Sequence, residues 1–463
     1  MPTKDYYAPI LKNWIYPLSQ KVRGRNYPAM FREACRIQKL SGEEIRDLQF
    51  NKLKIILQHA WDSVPHYRDV FNKAGLEPQD IRSLEDLQLI PVLTKSDIRE
   101  APQRFISSNP RTKALTFKTS GTSGKPQAFQ LDQSAITAGL VSRFRALEWW
   151  GIQLGDRHIE IRDRYDDTLM FPDLRTRIKT HYSGPFKDLV INRRVLSPYD
   201  MGDQKLEQYL GLMDRFRPSY LFGYPSSIHY MADYIQKKSY QGSRLRLKLV
   251  VSMGEMLHRK HADAFKQVFN CPAANEYGST EFGVIAYSCP CGLMHSMDDF
   301  LIMEIEKPDP GDMYGEVIVT GLENFASPLI RYKIGDLALP GRGEQECPLG
   351  INLSSFERII GREFDIMHLP GGKITSSMVI ESIMWELEGV RRYQVEQTSP
   401  GSFIFTIVLD SEGNNNYIED KIRARMSRPL GIRDIKFVYV SEIPPDASGK
   451  FQYVRTFKNL RAG

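Results

Sequence analysis

The chain has 463 residues, of which 41% are hydrophobic and 25% charged, which excludes a disordered protein and leaves room for two or more domains with sizeable cores. Its formal net charge of +6 comes from 62 basic against 56 acidic residues, an excess too small to predict nucleic-acid binding, though a mild positive field favours anionic substrates. Five cysteines, an odd number, fit a reducing compartment better than a disulfide framework.

In chain order, "MPTKDYYAPILKNWIYPL" lacks an apolar run long enough for a signal peptide, and no segment reaches membrane-spanning length. A cytoplasmic enzyme without membrane insertion is expected. Ser41 followed by Glu44 is a capping-box signature; Ile45, Leu48, Leu53, Ile56, Leu57, Ala60 and Trp61 then recur at helical spacing until Pro65. "LQLIPVLTKSDIRE" reads as a turn into a second capped helix, with no chemistry of its own. "SAITAGLVSRFRALEWWGI" predicts a strongly apolar helix whose tryptophans belong to the core.

Between Tyr220 and Thr320, short apolar strands alternate with glycine-rich turns and helical stretches. That order predicts parallel pairing, an α/β body and functional loops at the strand ends. After "RIIGREFD" the pattern restarts as a smaller unit: a helix through "SMVIESIMWELEGV", strands "RRYQVEQT" and "SFIFTIVLD", a helix through "NYIEDKIRARMSRPLG" and a strand "IKFVYVSEI". The expected division is a large domain over 1–361 and a small one over 362–463.

The stretch "FKTSGTSGKPQAF" gathers Thr119, Ser120, Gly121, Thr122, Ser123, Gly124 and Lys125 between two aromatics. Small residues let backbone N–H groups turn inward and the hydroxyls add donors, so the loop suits a polyphosphate. It is not the usual phosphate loop, because only two residues separate its glycines and Pro126 follows the lysine. Taken alone, a Ser/Gly hairpin tip explains it equally well. Further along, Cys289, Cys291 and His295 in "SCPCGLMH", with Cys347 in "EQECPLG", offer three thiols and an imidazole. Soft donors of that kind suit a structural Zn2+ site, the alternative being free thiols.

Together with "YGSTEFG" (277–283), "IRYKIGD" (330–336), "IIGREFD" ending at Asp365 and "PPDASGK" ending at Lys450, the hydroxyl-rich loop resembles the motif series of the adenylate-forming superfamily, which holds acyl-CoA synthetases, peptide-synthetase adenylation domains and luciferases. "RPSYLFGYPSS" and the short overall length resemble more narrowly its phenylacetate-CoA ligase-like branch, which includes capsular polysaccharide biosynthesis proteins. The resemblance spans nearly the whole chain and implies an α/β fold: a large multi-sheet N-terminal domain with helices packed on parallel-rich sheets, and a small mobile C-terminal domain.

The resemblance also implies roles. Residues 119–125 would cradle the β- and γ-phosphates of ATP, Tyr277 and Gly278 would meet adenine, Thr280 the α-phosphate, and Glu281 would hold Mg2+. Asp336 would bind both ribose hydroxyls and Arg362 would pack against the ribose, with Gly254 and Glu255 also in the nucleotide site. Tyr224, Pro225, Ser226 and Met253, beside Gly254 and Tyr277, would line the acyl pocket. Asp365 would be the hinge, and Lys450 the catalytic lysine bridging carboxylate and α-phosphate. Two departures stand out: Ile334 where threonine is common, and "EFD" where two adjacent acids are common.

The function so implied is ATP-dependent activation of a carboxylic acid to an acyl-adenylate with release of pyrophosphate, followed by acyl transfer to an acceptor, CoA being the commonest in this branch. An adenylyltransferase, an amide- or ester-forming ligase, and a catalytically silent binding protein of the same fold are the alternatives, and homodimerisation is left open.

Overall fold

The computed structural model describes residues 7–118, 127–162, 188, 191–198, 201–307, 314–341, 346–362, 366–370, 374–376, 380, 383–384, 387–410, 414–430, 432, 434–444 and 451–456. The chain divides into two compact units: one holds most of the chain up to Ile359, the other Ile360 onward together with Gly335–Leu337.

The predicted helices of the larger unit form where their caps and periodicity place them. Gly42–Ser63 is a helix opened by a complete capping box, with the Ser41 side chain accepting from the Glu44 N–H and the Glu44 carboxylate accepting from the Ser41 N–H. Its Leu53, Ile56, Leu57 and Ala60 are fully buried against Tyr67, Phe71 and Ile330. Thr94 and Asp97 make a second reciprocal cap on Lys95–Glu100. Gln133–Trp149 is the long apolar helix, capped by Asp132.

Thirteen strands of this unit are described: β1 Leu115–Lys118, β2 Ala128–Leu131, β3 His158–Ile161, β4 Arg193–Leu196, β5 Tyr220–Gly223, β6 Leu249–Met253, β7 Ala273–Ser279, β8 Gly283–Ser288, β9 Met294–Ser296, β10 Leu301–Glu306, β11 Gly315–Gly321, β12 Tyr332–Pro340 and β13 Ser355–Arg362. β1 and β2 form an antiparallel ribbon. The rest make an eleven-stranded sheet ordered β10-β11-β12-β13-β9-β8-β7-β6-β5-β3-β4.

Pairing is parallel from β4 through β3, β5 and β6 to β7. It is antiparallel for β7–β8, β8–β9, β9–β13 and β10–β11, which corrects the expectation of parallel pairing out to Thr320. The reason is local: "NEYGSTEFGVIAYS" folds back as a hairpin, and a hairpin can only be antiparallel. Because side chains alternate faces along a strand, Tyr220, Phe222, Leu249 and Val251 enter the core that includes Val141 and Ala146 of the Gln133–Trp149 helix. Leu221 and Val250 enter the opposite core, with Met213, Ile228, Met231 and Phe265 from three other helices. Helices on both faces explain why β5 and β6 read as continuous apolar runs. Gly223 is required by close approach, since a Cβ there would lie 2.2 Å from the Ile161 carbonyl oxygen.

The smaller unit contains the ribbon β14 Ile366–His368 with β15 Ile374–Ser376, and the strands β16 Val390–Ser399, β17 Ser402–Leu409, β18 Asp434–Tyr439 and β19 Val454–Arg455 in the order β18-β17-β16-β19. The Asn415–Leu430 helix supplies Ile418, Ile422 and Met426 to a core with Val395, Phe403, Phe405 and Ile407. These are the strands and second helix expected from the sequence; half of "SMVIESIMWELEGV" lies outside the described residues.

Candidate active site and cysteine cluster

Parallel strands bring their following loops to one edge of a sheet. Tyr224–Ser226 follow β5 and Gly254–Glu255 follow β6, so two segments thirty residues apart meet: the Ser226 N–H donates to Glu255 Oε2 at 3.2 Å. That contact places a carboxylate at the N-terminus of the Pro225–Lys237 helix, where unpaired backbone N–H groups favour negative charge. Tyr224, Pro225 and Ser226 are buried and Met253 is partly buried.

β7 ends at the same edge and carries the "YGSTEFG" motif into the turn to β8. The register shifts between Tyr277 and Gly278, a bulge that re-aims the side chains after it. A Cβ on Gly278 would lie 2.3 Å from the Gly283 carbonyl oxygen, so only glycine fits the bulge. Tyr277 and Thr280 are partly buried and Glu281 is 5% exposed.

Three motifs converge on Tyr332, a residue the sequence reading passed over. Its hydroxyl donates to Glu281 Oε1 at 3.2 Å. Its ring lies 6.0 Å from that of Phe282 and 6.4 Å from that of Phe129. Phe129 pairs across β1–β2 with Phe117, so the two aromatics that bound the hydroxyl-rich stretch are cross-strand partners. Thr119 to Lys125 themselves lie outside the described residues.

The "IRYKIGD" segment is pinned at both ends. Arg331 has φ +46°, a left-handed conformation that is unfavourable for a side-chain-bearing residue. Its guanidinium, 4% exposed, pairs with Glu304 and Glu306 at 3.2 Å each and donates to the Ile90 carbonyl at 2.9 Å, which makes it a structural pairing. Lys95 Nζ donates to the Ile334 carbonyl at 2.9 Å, so the capped helix read as lacking chemistry puts a cation one residue before Gly335. Gly335 takes φ +90°, and Asp336 follows, partly buried, on β12. Arg362 ends β13; Asp365 and Lys450 lie outside the described residues.

A second missed pair stands directly behind the motif. Arg143 on the apolar helix donates two hydrogen bonds to Glu276, at 2.8 and 2.6 Å, and its guanidinium lies 4.7 Å from the Phe222 ring centre. The sequence signals were charged residues, Arg143 among them, in a largely apolar helix and an acid next to Tyr277.

The sulfurs of Cys289, Cys291 and Cys347 lie within 4.8 Å of one another. Two similar turns present them: the Gly292 N–H donates to the Cys289 carbonyl and the Gly350 N–H to the Cys347 carbonyl, with both glycines at positive φ. Burial is the main cause that raises the Cys289 thiol to about 11. His295, expected as the fourth donor, is not in this group. β9 is held between β8 and β13, with His295 opposite Tyr287 and Ser355. Its Nδ1 bonds to the Leu353 carbonyl at 3.0 Å, and its buried Nε2 has no hydrogen-bond partner. Since a carbonyl only accepts, Nδ1 carries the proton and Nε2 the lone pair, the tautomer a metal takes. Burial also lowers the His295 pKa, keeping the ring neutral.

Residues 192–315 match the AMP-binding enzyme family and residues 366–456 the CapK C-terminal domain. Among characterised structures, the chain resembles 2-hydroxyisobutyryl-CoA ligase in its postadenylation state, with TM-score 0.74 at 18% identity over 92% of this chain and 93% of that one. The fold is that of this acyl-CoA ligase, and the matched segments are similar to those of AMP-forming ligases of the adenylate-forming superfamily. The chain resembles relatives that include phenylacetate-CoA ligases and CapK. It is 23% identical to Protein CapK of Staphylococcus aureus over 89% of each chain. It is 26% identical to phenylacetate-coenzyme A ligase of Escherichia coli over 79% of this chain and 82% of that one.

Proposed function

We propose that the enzyme joins a small carboxylic acid to CoA in two steps. A carboxylate oxygen attacks the α-phosphorus of ATP, the bond to pyrophosphate breaks, and the CoA sulfur then attacks the acyl carbon as AMP leaves. Charge builds on the phosphorus centre and on the departing pyrophosphate, so positioned donors and cations supply most of the catalysis. In this reading residues 119–125 hold the β- and γ-phosphates, Tyr277 and Gly278 meet the adenine, and Thr280 the α-phosphate. Asp336 and Arg362 serve the ribose, with Gly254 and Glu255 beside the nucleotide. Lys450 bridges the two reactants, and Asp365 is the hinge of a small domain beginning at residue 362. Tyr224, Pro225, Ser226 and Met253 line the acid pocket.

Glu281, a buried carboxylate steadied by Tyr332, fits Mg2+, a hard cation that takes one or two protein carboxylates beside phosphate oxygens. Three clustered thiols fit Zn2+, a soft-donor set suited to a structural site.

The observation that carries the proposal is the meeting of the phosphate-loop ribbon, the Glu281 turn and the ribose strand at Tyr332. The test is ATP–pyrophosphate exchange over a panel of aryl and short-chain acids, followed by thioester detection with CoA. No exchange with any acid despite measurable ATP binding would overturn the proposal in favour of a silent relative. One observation favours a second acceptor class: the C-terminal segment matches the CapK C-terminal domain. Exchange without thioester, and with an ester or amide formed from an added alcohol or amine, selects that reading.

A further inference from the structure

The N-terminal segment carries an apolar stripe that no step of the proposed chemistry uses. Its helix runs through Tyr7–Ile10, a π-helical turn at Leu11–Ile15, and Tyr16–Val22. Its inner face is well satisfied: Leu11 is fully buried, and the Tyr16 ring packs edge-on against Phe144 at 5.6 Å and Tyr27 at 5.1 Å. Lys12 is tied to Glu148 at 3.2 Å. The segment is therefore docked on the Gln133–Trp149 helix and is not a loose tail.

The outer face is the reverse of what folding requires. Ile10, Trp14, Leu18 and Val22 are 51, 74, 64 and 81% exposed. They recur every fourth residue. In a regular α-helix that spacing overshoots a full turn, so the stripe would wind around the helix. The π turn takes more residues per turn and undershoots, which offsets one of the two overshoots and keeps the four side chains on one face.

Charge identifies what such a line meets. From Tyr7 to Arg32 the sequence has five basic residues, Lys12, Lys21, Arg23, Arg25 and Arg32, and no acid. Lys21, Arg23 and Arg32 are exposed. Bulky apolar side chains including a tryptophan, beside lysine and arginine, are the composition of a helix that lies in the headgroup layer of an anionic bilayer. A second copy of the chain is a poor occupant, because a two-fold contact on this patch would set Lys21 and Arg23 against their own counterparts with no acid in the segment to pair them. We infer that this helix is a peripheral docking surface for anionic membrane, lying on the bilayer without crossing it. The ligase would then work beside a lipid-borne acid or acceptor.

The test is flotation of the full-length protein with phosphatidylcholine vesicles and with vesicles of phosphatidylcholine and phosphatidylglycerol in equal parts. Wild type is expected to float only with the second, and less as salt is raised. Lys21→Gln with Arg23→Gln should weaken partitioning about thirtyfold, from the attraction of each cation for an anionic surface. Ile10→Ser, Trp14→Ser and Leu18→Ser together should abolish it while leaving the melting temperature and ATP–pyrophosphate exchange unchanged, since none of the three is buried. Wild type that stays at the bottom of the gradient, or floats equally with both vesicles, overturns the inference. So does a dimer that the triple variant converts to monomer in sedimentation velocity while vesicle binding is unchanged.

Discussion

Replacing Arg143 by methionine removes the partner of a buried carboxylate on the strand that delivers Tyr277, Thr280 and Glu281. The Glu276 side chain is 4% exposed, and both its oxygens accept from Arg143, at 2.8 and 2.6 Å. Breaking a buried pair from one side typically costs about 3 to 5 kcal/mol, because the remaining charge is left without compensation. Arg143 is 34% exposed, so water screens part of the attraction and admits some solvent to the site, which lowers the expected loss to about 2 to 3 kcal/mol. Arg143→Met with Glu276→Met should recover most of that, since no charge then remains buried and the side-chain volumes are close. Urea unfolding of wild type, the single variants and the double variant closes the cycle. A double variant no more stable than Arg143→Met would refute the argument, because the cost would then lie in lost packing against Phe222 and not in a stranded charge.

Lys450→Ala should slow acyl-adenylate formation by about a hundred- to a thousandfold, the usual loss for one preorganised charge contact, and largely spare transfer from a supplied acyl-adenylate; an equal fall in both half-reactions counts against its bridging role. Protein prepared without chelators should contain about one zinc per chain by metal analysis, and Cys347→Ser should lower the melting temperature more than it lowers ATP–pyrophosphate exchange. Acid should destabilise the fold through histidines that are buried or partly buried. Burial is the main cause holding His66 down to about 4, and it also depresses His229 and His261. Below their ordinary pKa near 6.5 the unfolded chain binds these protons and the folded chain does not, so stability falls as pH drops from about 6.5 toward 4. Urea midpoints across that range should fall, and His66→Phe, which has no proton to bind, should flatten the slope.

The amino-acid sequence by itself determined the elements whose causes are local. The reciprocal caps at Ser41 and Thr94, the helices they open and the apolar strands at 220 and 249 all follow from hydrogen-bonding side chains and periodicity within a few residues. The order of the motif segments was legible for the same reason, each being a short run with its own turn chemistry. Tertiary structure decided what depends on contacts between distant residues. The reversal of pairing at β7–β8 comes from a hairpin whose bulge needs Gly278 against Gly283. Tyr332 and Glu276 draw their importance from partners 51 and 133 residues away. The cysteines read together with His295 separate into three sulfurs that meet and an imidazole fixed between two strands. No spacing rule could foresee that, because neighbouring strands, and not the local sequence, set where the ring can stand.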